Sequence, residues 1–165
     1  MADPTRTLQI RFALPADFDT IAELTERVYV DGGFSDPTYV PALRDVAGRA
    51  ASTTVLVALL DGVPVGAVAI ATRGGSYAEQ AGPGEAVMRM LAVSETARGA
   101  GAGAGLIQAC IDTARTDGCT VLRLSTQHAM TTAHRLYERA GFLRTPARDW
   151  SPLPGMDLLT YQLTL

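Results

Sequence analysis

The stretch TARGAGAGAGL, residues 96–106, sets glycines at positions 99, 101, 103 and 105. Arg98 stands before them, and an apolar-periodic run, GLIQACIDTARTDG, follows from Gly105 to Gly118. Glycine at alternate positions removes every second Cβ that would hold a ligand off the backbone. A helix opening here presents unpaired N–H groups at the positive end of its dipole, a setting that suits phosphate or pyrophosphate. A close-packed connector has the same composition, so the flanking sequence must decide between the two.

Two familiar phosphate loops can be tested by spacing. A P-loop closes with Lys and Ser or Thr, and this chain contains no lysine. The dinucleotide fingerprint GxGxxA does match at Gly99, Gly101 and Ala104. That fingerprint follows its strand at once and opens a series of βαβ units. Here SETAR, residues 94–98, intervenes after Val93, and the chain has room for only about two further strand–helix steps.

Periodicity places the loop in its fold. TLQIRFAL (residues 7–14) alternates as a strand, and Pro15 opens PADFDTIAELTERVY, where Phe18, Ile21, Leu24 and Val28 keep helical spacing. TYVPALRDVAGRAAS predicts a second, shorter helix. TVLVALL, the turn DGVP and VGAVAIATR predict an antiparallel hairpin. EAVMRMLAV is a strand, the glycine loop and its helix follow, and TVLRLST is another strand. TTAHRLYERAGF predicts a helix with Thr131 or Thr132 as N-cap and Gly141 as stop, and LLTYQLTL closes the sheet. Helices scattered among hairpin-linked strands predict an α/β (α+β) fold with a mixed sheet covered on both faces.

Composition sets the limits. The chain has 165 residues, 47% of them hydrophobic and 19% charged, enough for one domain, 1–165, with a sizeable core. A net charge of −3 without a basic stripe argues against nucleic acid as a partner. The N-terminus lacks a cationic segment followed by an apolar one, and no run approaches the roughly 20 apolar residues that span a bilayer, so a cytoplasmic protein without membrane contact is expected. Cys110 and Cys119 read as packing residues. Only two histidines are present, and no metal is expected.

Arg98-x-x-Gly101-x-Gly103, after MLAV and before an amphipathic helix, resembles motif A of the GNAT superfamily of N-acetyltransferases. Downstream, Ala133, Leu136, Tyr137, Gly141 and Phe142 resemble its second signature, A-x-x-L-Y-x-x-x-G-F. The resemblance covers residues 85–145 and implies a mostly antiparallel central sheet flanked by helices, with acetyl-CoA as cosubstrate. It implies that the pyrophosphate lies over Gly99, Ala100, Gly101, Ala102, Gly103 and Ala104, and that Arg98 shapes this loop or contacts phosphate. It also implies that the strand carrying Leu91, Ala92 and Val93 splays from its neighbour, so that exposed backbone around Leu91 and Val93 holds the pantetheine arm and polarises the thioester. Tyr137 is then the general acid for the departing thiolate.

Two positions depart from the family's pattern. Val87 stands where relatives often carry a glutamate base, and Met130 stands where they often carry Asn. Glu85, two residues before Val87, is the candidate base by strand alternation. An acceptor that arrives already deprotonated is the alternative. Gln127 or His128 could replace the Asn contact. Acceptor recognition is expected from Tyr29, Tyr39, Tyr77, Asp149 and Trp150, and an acidic, aromatic pocket of that kind would favour a cationic amine. The implied activity is acetyl transfer to the primary amine of a small molecule in a ternary complex. Acetylation of a protein N-terminus or lysine, and a non-catalytic acyl-CoA sensor, are the other readings, and a homodimer stays open.

Overall fold

The computed structural model describes residues 5–165. β1 (Leu8–Phe12) leads through a 3₁₀ turn at Pro15–Asp17 into α1 (Phe18–Glu26), which runs on as a π-helical segment, Arg27–Asp31. The predicted second helix is two: α2 (Val40–Arg44) and α3 (Val46–Ser52). Asp45 breaks it, leaving the helical region at φ −79°, ψ 65° while its carboxylate accepts the Gly48 N–H at 3.0 Å. An Asp that caps the next helix competes with continuation of the last one. β2 (Thr54–Leu60) and β3 (Val63–Ala71) form the expected antiparallel hairpin. β4 (Glu85–Val93), α4 (Ala102–Thr116), β5 (Val121–Gln127) and α5 (Thr131–Arg139) follow. Met130, not Thr131 or Thr132, occupies the N-cap of α5, without a side-chain cap. Two short strands, β6 (Leu143–Arg144) and β7 (Trp150–Leu153), precede the closing β8 (Met156–Thr164).

The strands lie in the order β1-β2-β3-β4-β5-β8-β6, with β7 against β8. Every pairing is antiparallel except β4–β5. Leu106, Ile107, Cys110 and Ala114 of α4 and Tyr137 of α5 bury one face, against Leu56, Val68, Met88, Leu122 and Leu124. Ile21 and Ala22 of α1 and Val46 of α3 cover the other face, against Val55, Val57, Ala67 and Ala69. Each fully buried Leu, Ile or Val contributes about 1.5–3 kcal/mol relative to exposure. Cys110 and Cys119 are buried and free, and Cys110 sits in the α4 core.

The parallel joint is short, because β4 and β5 pair only from Glu85↔Val121 to Met88↔Leu124. β5 continues beside β8 as far as Gln127↔Leu158, so beyond Met88 the two strands part. The cause lies in β4. Ala69 pairs with Arg89 and Ala67 with Ala92, so Val68 alone faces both Met90 and Leu91, and Met90 takes φ +54°. This β-bulge bends the strand and switches its alternation. Ala86 and Met88 face α4 before it, and Leu91 and Val93 do so after it.

Candidate active site

The opening of the fork leads directly into the glycine turn. Gly99 and Gly101 adopt φ +79° and +84°, and Gly101 is the N-cap of α4. A Cβ on Gly99 would meet nothing within 4 Å, so this turn needs glycine for its backbone conformation rather than for space. Gly103 and Gly105 have a different reason. They lie inside α4, which begins at Ala102, three residues earlier than the apolar pattern suggested. A Cβ on Gly103 would lie 2.8 Å from Leu136 Cδ1, and one on Gly105 would lie 3.2 Å from Ile10 Cδ1. Their missing side chains let α4 sit close to α5 and β1. The first helical bond runs from Gly105 N–H to Gly101 C=O at 2.9 Å, which leaves the N–H groups of Ala102, Gly103 and Ala104 without a helical acceptor. The Ala100 N–H is used on Ala97 C=O. The Arg98 side chain is 70% exposed beside the turn, with a 3.3 Å contact to Glu95.

Inside the fork the backbone is sorted by alternation. The Ser94 N–H donates to Val65 C=O on β3. Ala92 therefore also turns its backbone to β3, opposite Ala67, and Leu91 and Val93 turn theirs toward the gap. Of the three residues expected along the pantetheine arm, Ala92 is thus committed to the sheet. The Leu91 carbonyl accepts the Tyr29 hydroxyl at 3.0 Å. Across the gap, two residues past the last β4–β5 pair, the buried Thr126 Oγ1 has no hydrogen-bond partner among the described residues. Tyr137 is 5% exposed, with its ring 6.0 Å from Phe142 and 5.8 Å from Tyr161. Its hydroxyl bonds to no group among the described residues, and burial, with Tyr29, Cys110 and Tyr161 nearby, pushes its pKa well above that of a free phenol.

Both carboxylate oxygens of Glu85, the candidate base, are engaged within the sheet. Its Oε2 accepts from Arg123 Nε and Nη2 at 2.9 and 2.6 Å, and its Oε1 accepts the Gly82 N–H at 2.6 Å. These bonds hold its pKa below the usual glutamate value, with the Arg123 bond the largest cause. Arg123 goes on to donate to Gln162 of β8 at 2.7 Å, so Glu85 fastens β4 to β5 and β8 below the fork. Val87 is buried beside Ala71 and Ala78.

The five acceptor-side candidates divide. Tyr29, carried on the π-helical segment, reaches the fork, and burial raises its pKa. Tyr77 lies under Arg89, whose guanidinium carbon is 5.3 Å from the ring centroid, and Tyr39 is 42% exposed. Asp149 is held instead by Arg144 in a two-pronged pair at 2.8 and 2.8 Å and by the Thr160 N–H. Trp150 donates its ring N–H to Ser125 Oγ at 2.9 Å. Both line a separate hollow of about 170 Å³ with His128, Ser151, Asp157 and Leu158. The expected acidic pocket is therefore not assembled around Tyr29. Gln127 spends its amide on the Phe34 carbonyl, His128 is exposed, and His134 bonds through Nε2 to the Gln127 carbonyl. Sequence reading missed Thr126, the Met90 bulge and the buried Arg49. An arginine three residues after Val46 in an otherwise apolar helical stripe was a signal for the last.

Among the described residues no group of three His, Cys, Asp or Glu could hold a metal ion, and no helix is long and apolar enough to cross a membrane. No curated protein matches the sequence. Solved structures do match in fold. A GCN5-related N-acetyltransferase from Kribbella flavida is 25% identical with a TM-score of 0.70, covering 96% of this chain and 98% of its own. A proposed acetyltransferase from Salmonella typhimurium, solved with its cofactor acetyl-CoA, is 22% identical with a TM-score of 0.70, covering 96% and 94%. A ribosomal-protein-alanine N-acetyltransferase from Brucella melitensis is 21% identical with a TM-score of 0.69, covering 95% and 99%. The acetyltransferase (GNAT) family profile matches residues 18–142, from the first turn of α1 to the end of the second signature. With the fork, the bulge and the glycine turn in one sheet, the chain belongs to the acetyltransferase (GNAT) family.

Proposed function

We propose that this protein moves an acetyl group from acetyl-CoA to the primary amine of a small molecule by direct attack within a ternary complex. The observation that carries the reading is the continuity of the β4–β5 fork with the left-handed turn at Gly99–Gly101 and the free N–H groups opening α4. An anion at Ala102–Ala104 meets three unpaired donors and the positive end of a 15-residue helix. The Leu91 N–H, the Val93 backbone and the orphaned Thr126 hydroxyl offer an amide-bearing arm the hydrogen bonds that the fork leaves unmade. When bound, acetyl-CoA supplies an acyl thioester, whose carbonyl takes the amine and whose sulfur leaves.

The protein's own groups have limited tasks in this scheme. Tyr137 keeps its proton throughout the working pH range and presents it as a donor. A free phenol, near 10, is about 1.5 units less acidic than a thiol near 8.5, so full transfer to a thiolate is uphill by about 2 kcal/mol. Tyr137 therefore stabilises the departing sulfur by a hydrogen bond, and the proton that finally neutralises it comes from the attacking amine. We assign Glu85 to the joint between strands and not to proton removal. The amine then arrives neutral, or as an ammonium first yields one proton to water before attack, and positioning carries the rest.

A calorimetric titration with acetyl-CoA, with NADP as the control, tests the reading. Binding of acetyl-CoA alone, followed by thiol release on an amine panel, supports it. Binding of acetyl-CoA with no turnover on any amine favours a sensor, and binding of neither nucleotide overturns the assignment.

A further inference from the structure

Arg49 of α3 is 2% exposed, yet no Asp or Glu among the described residues ion-pairs with it. Its Nη1 donates to the Ala42 and Leu43 carbonyls at 2.9 and 3.0 Å, at the end of α2. Nε and Nη2 donate to no acceptor among the described residues. The nearby carboxylate, Asp45, is occupied in capping α3. A guanidinium largely withdrawn from water with no carboxylate hydrogen-bonded to it is costly, and burial lowers its pKa.

Its surroundings are those of the acceptor side of the fork. Tyr29, Tyr39 and Tyr77 lie within electrostatic reach of Arg49, and Arg89, over the Tyr77 ring, is within reach of Tyr29. Tyr29 itself touches the Leu91 carbonyl in the fork. Two cations and three phenols, against the single charge of Asp45, leave the site net positive and suited to an anion. They oppose the cationic acceptor that the sequence suggested.

We propose that the acceptor amine carries a carboxylate, received by the unpaired edge of Arg49 beside Arg89 and the three tyrosines. This inference rests on the acetyl-transfer reading for the identity of the reaction. It places the substrate among free amino acids, and it disfavours a peptide N-terminus, whose first residue has no free α-carboxylate. Arg suits the role because its planar fork pairs a carboxylate through two parallel bonds.

The test is a panel of glycine, β-alanine, 4-aminobutyrate, L-leucine and L-phenylalanine, each against its neutral carboxamide. Thiol release gives kcat/KM, and calorimetry on the CoA-loaded protein gives affinity. The best acid is expected to exceed its amide by about 30-fold or more. In Arg49→Met that ratio collapses to within about threefold, and in Arg89→Met it falls by a smaller factor. Arg49 also ties α2 to α3, so thermal melting must show the variant folded. If it is not, Arg89→Met and the wild-type ratio decide. Amides as good as their acids, or an acid preference untouched in both variants, overturns the inference. Failure of every acid to bind overturns it too, even where acetyl-CoA binds and a neutral amine turns over. Failure to bind CoA overturns the acetyl-transfer reading instead, and acid binding to the free protein then still reads the anion site.

Discussion

At the scale of single residues, Tyr137 and Glu85 carry opposite expectations from the same kind of observation. Tyr137 is buried with an uncommitted hydroxyl, and Glu85 is half-buried with both oxygens committed. Tyr137→Phe removes a donor needed only as the sulfur departs, so kcat should fall about 10- to 100-fold while acetyl-CoA affinity stays within about twofold. Unchanged kcat in steady-state assays would remove the role. Glu85→Gln should leave kcat within about threefold and cost about 1–2 kcal/mol of stability in urea melts. The sign with pH follows from a folded pKa held below the ordinary glutamate value. The ion pair's contribution is fully present above about pH 4.3 and is lost as pH falls through the folded value, so the wild-type advantage should shrink in acid. A loss of turnover beyond about 100-fold in Glu85→Gln, without loss of fold, would return the base to Glu85. The place of Tyr137 on α5, beside Phe142, was legible from L-Y-x-x-x-G-F. Glu85's partner was not, because Arg123 lies 38 positions away and alternation reports a face, not a neighbour.

At the scale of elements, one regular spacing of glycines serves two different mechanisms, and substitution separates them. Gly101→Val forces a β-branched side chain into a left-handed N-cap, at a cost of about 1–2 kcal/mol, and reshapes the turn. Acetyl-CoA affinity should drop at least about tenfold with the far-ultraviolet spectrum retained. Gly103→Ala does the reverse. Its Cβ meets the tip of Leu136, so that side chain must shift at the α4–α5 contact, and melting should show a loss of up to about 1 kcal/mol net of the helix propensity gained. Leu136→Ala in the same chain should recover part of that loss, a coupling that a double-mutant cycle measures. Equal effects of Gly101→Val and Gly103→Ala on affinity would mean that the two glycines share one role. The hairpin and both C-terminal helices were readable because their local signals agree with their tertiary setting. The bulge was not readable, since Met90 takes a left-handed conformation that nothing in MRMLAV announces. The break at Asp45 was hidden too, because apolar periodicity continues across it.

At the scale of the whole molecule, the sheet is two panels hinged on four residue pairs. β1 to β4 form one panel and β5, β8, β6 and β7 the other. α4 packs across the joint, and the Glu85–Arg123–Gln162 chain closes it at one end. The open end is where backbone donors of β4 lack a strand partner, so a ligand seated there would bridge the panels and bind the native state only. Mass action then gives about 2.7 kcal/mol of added stability at 100 times Kd, which for a chain of this size raises Tm by about 5–10 °C. Hydrogen exchange should resolve where that protection arises. Amides of Leu91 and Val93 and of Ala102–Ala104, which have no internal acceptor on their open side, should slow on adding acetyl-CoA, well before the already paired β2–β3 hairpin changes. Slowing confined to the hairpin, or a rise in Tm without new protection at residues 91–104, would mean that the ligand binds elsewhere and that the fork is only a defect in the sheet. Protection at both the fork and the turn, lost together in Gly101→Val, would mean that the bulge, the turn and the helix terminus act as one binding element, with the unpaired strand edge kept open for its ligand.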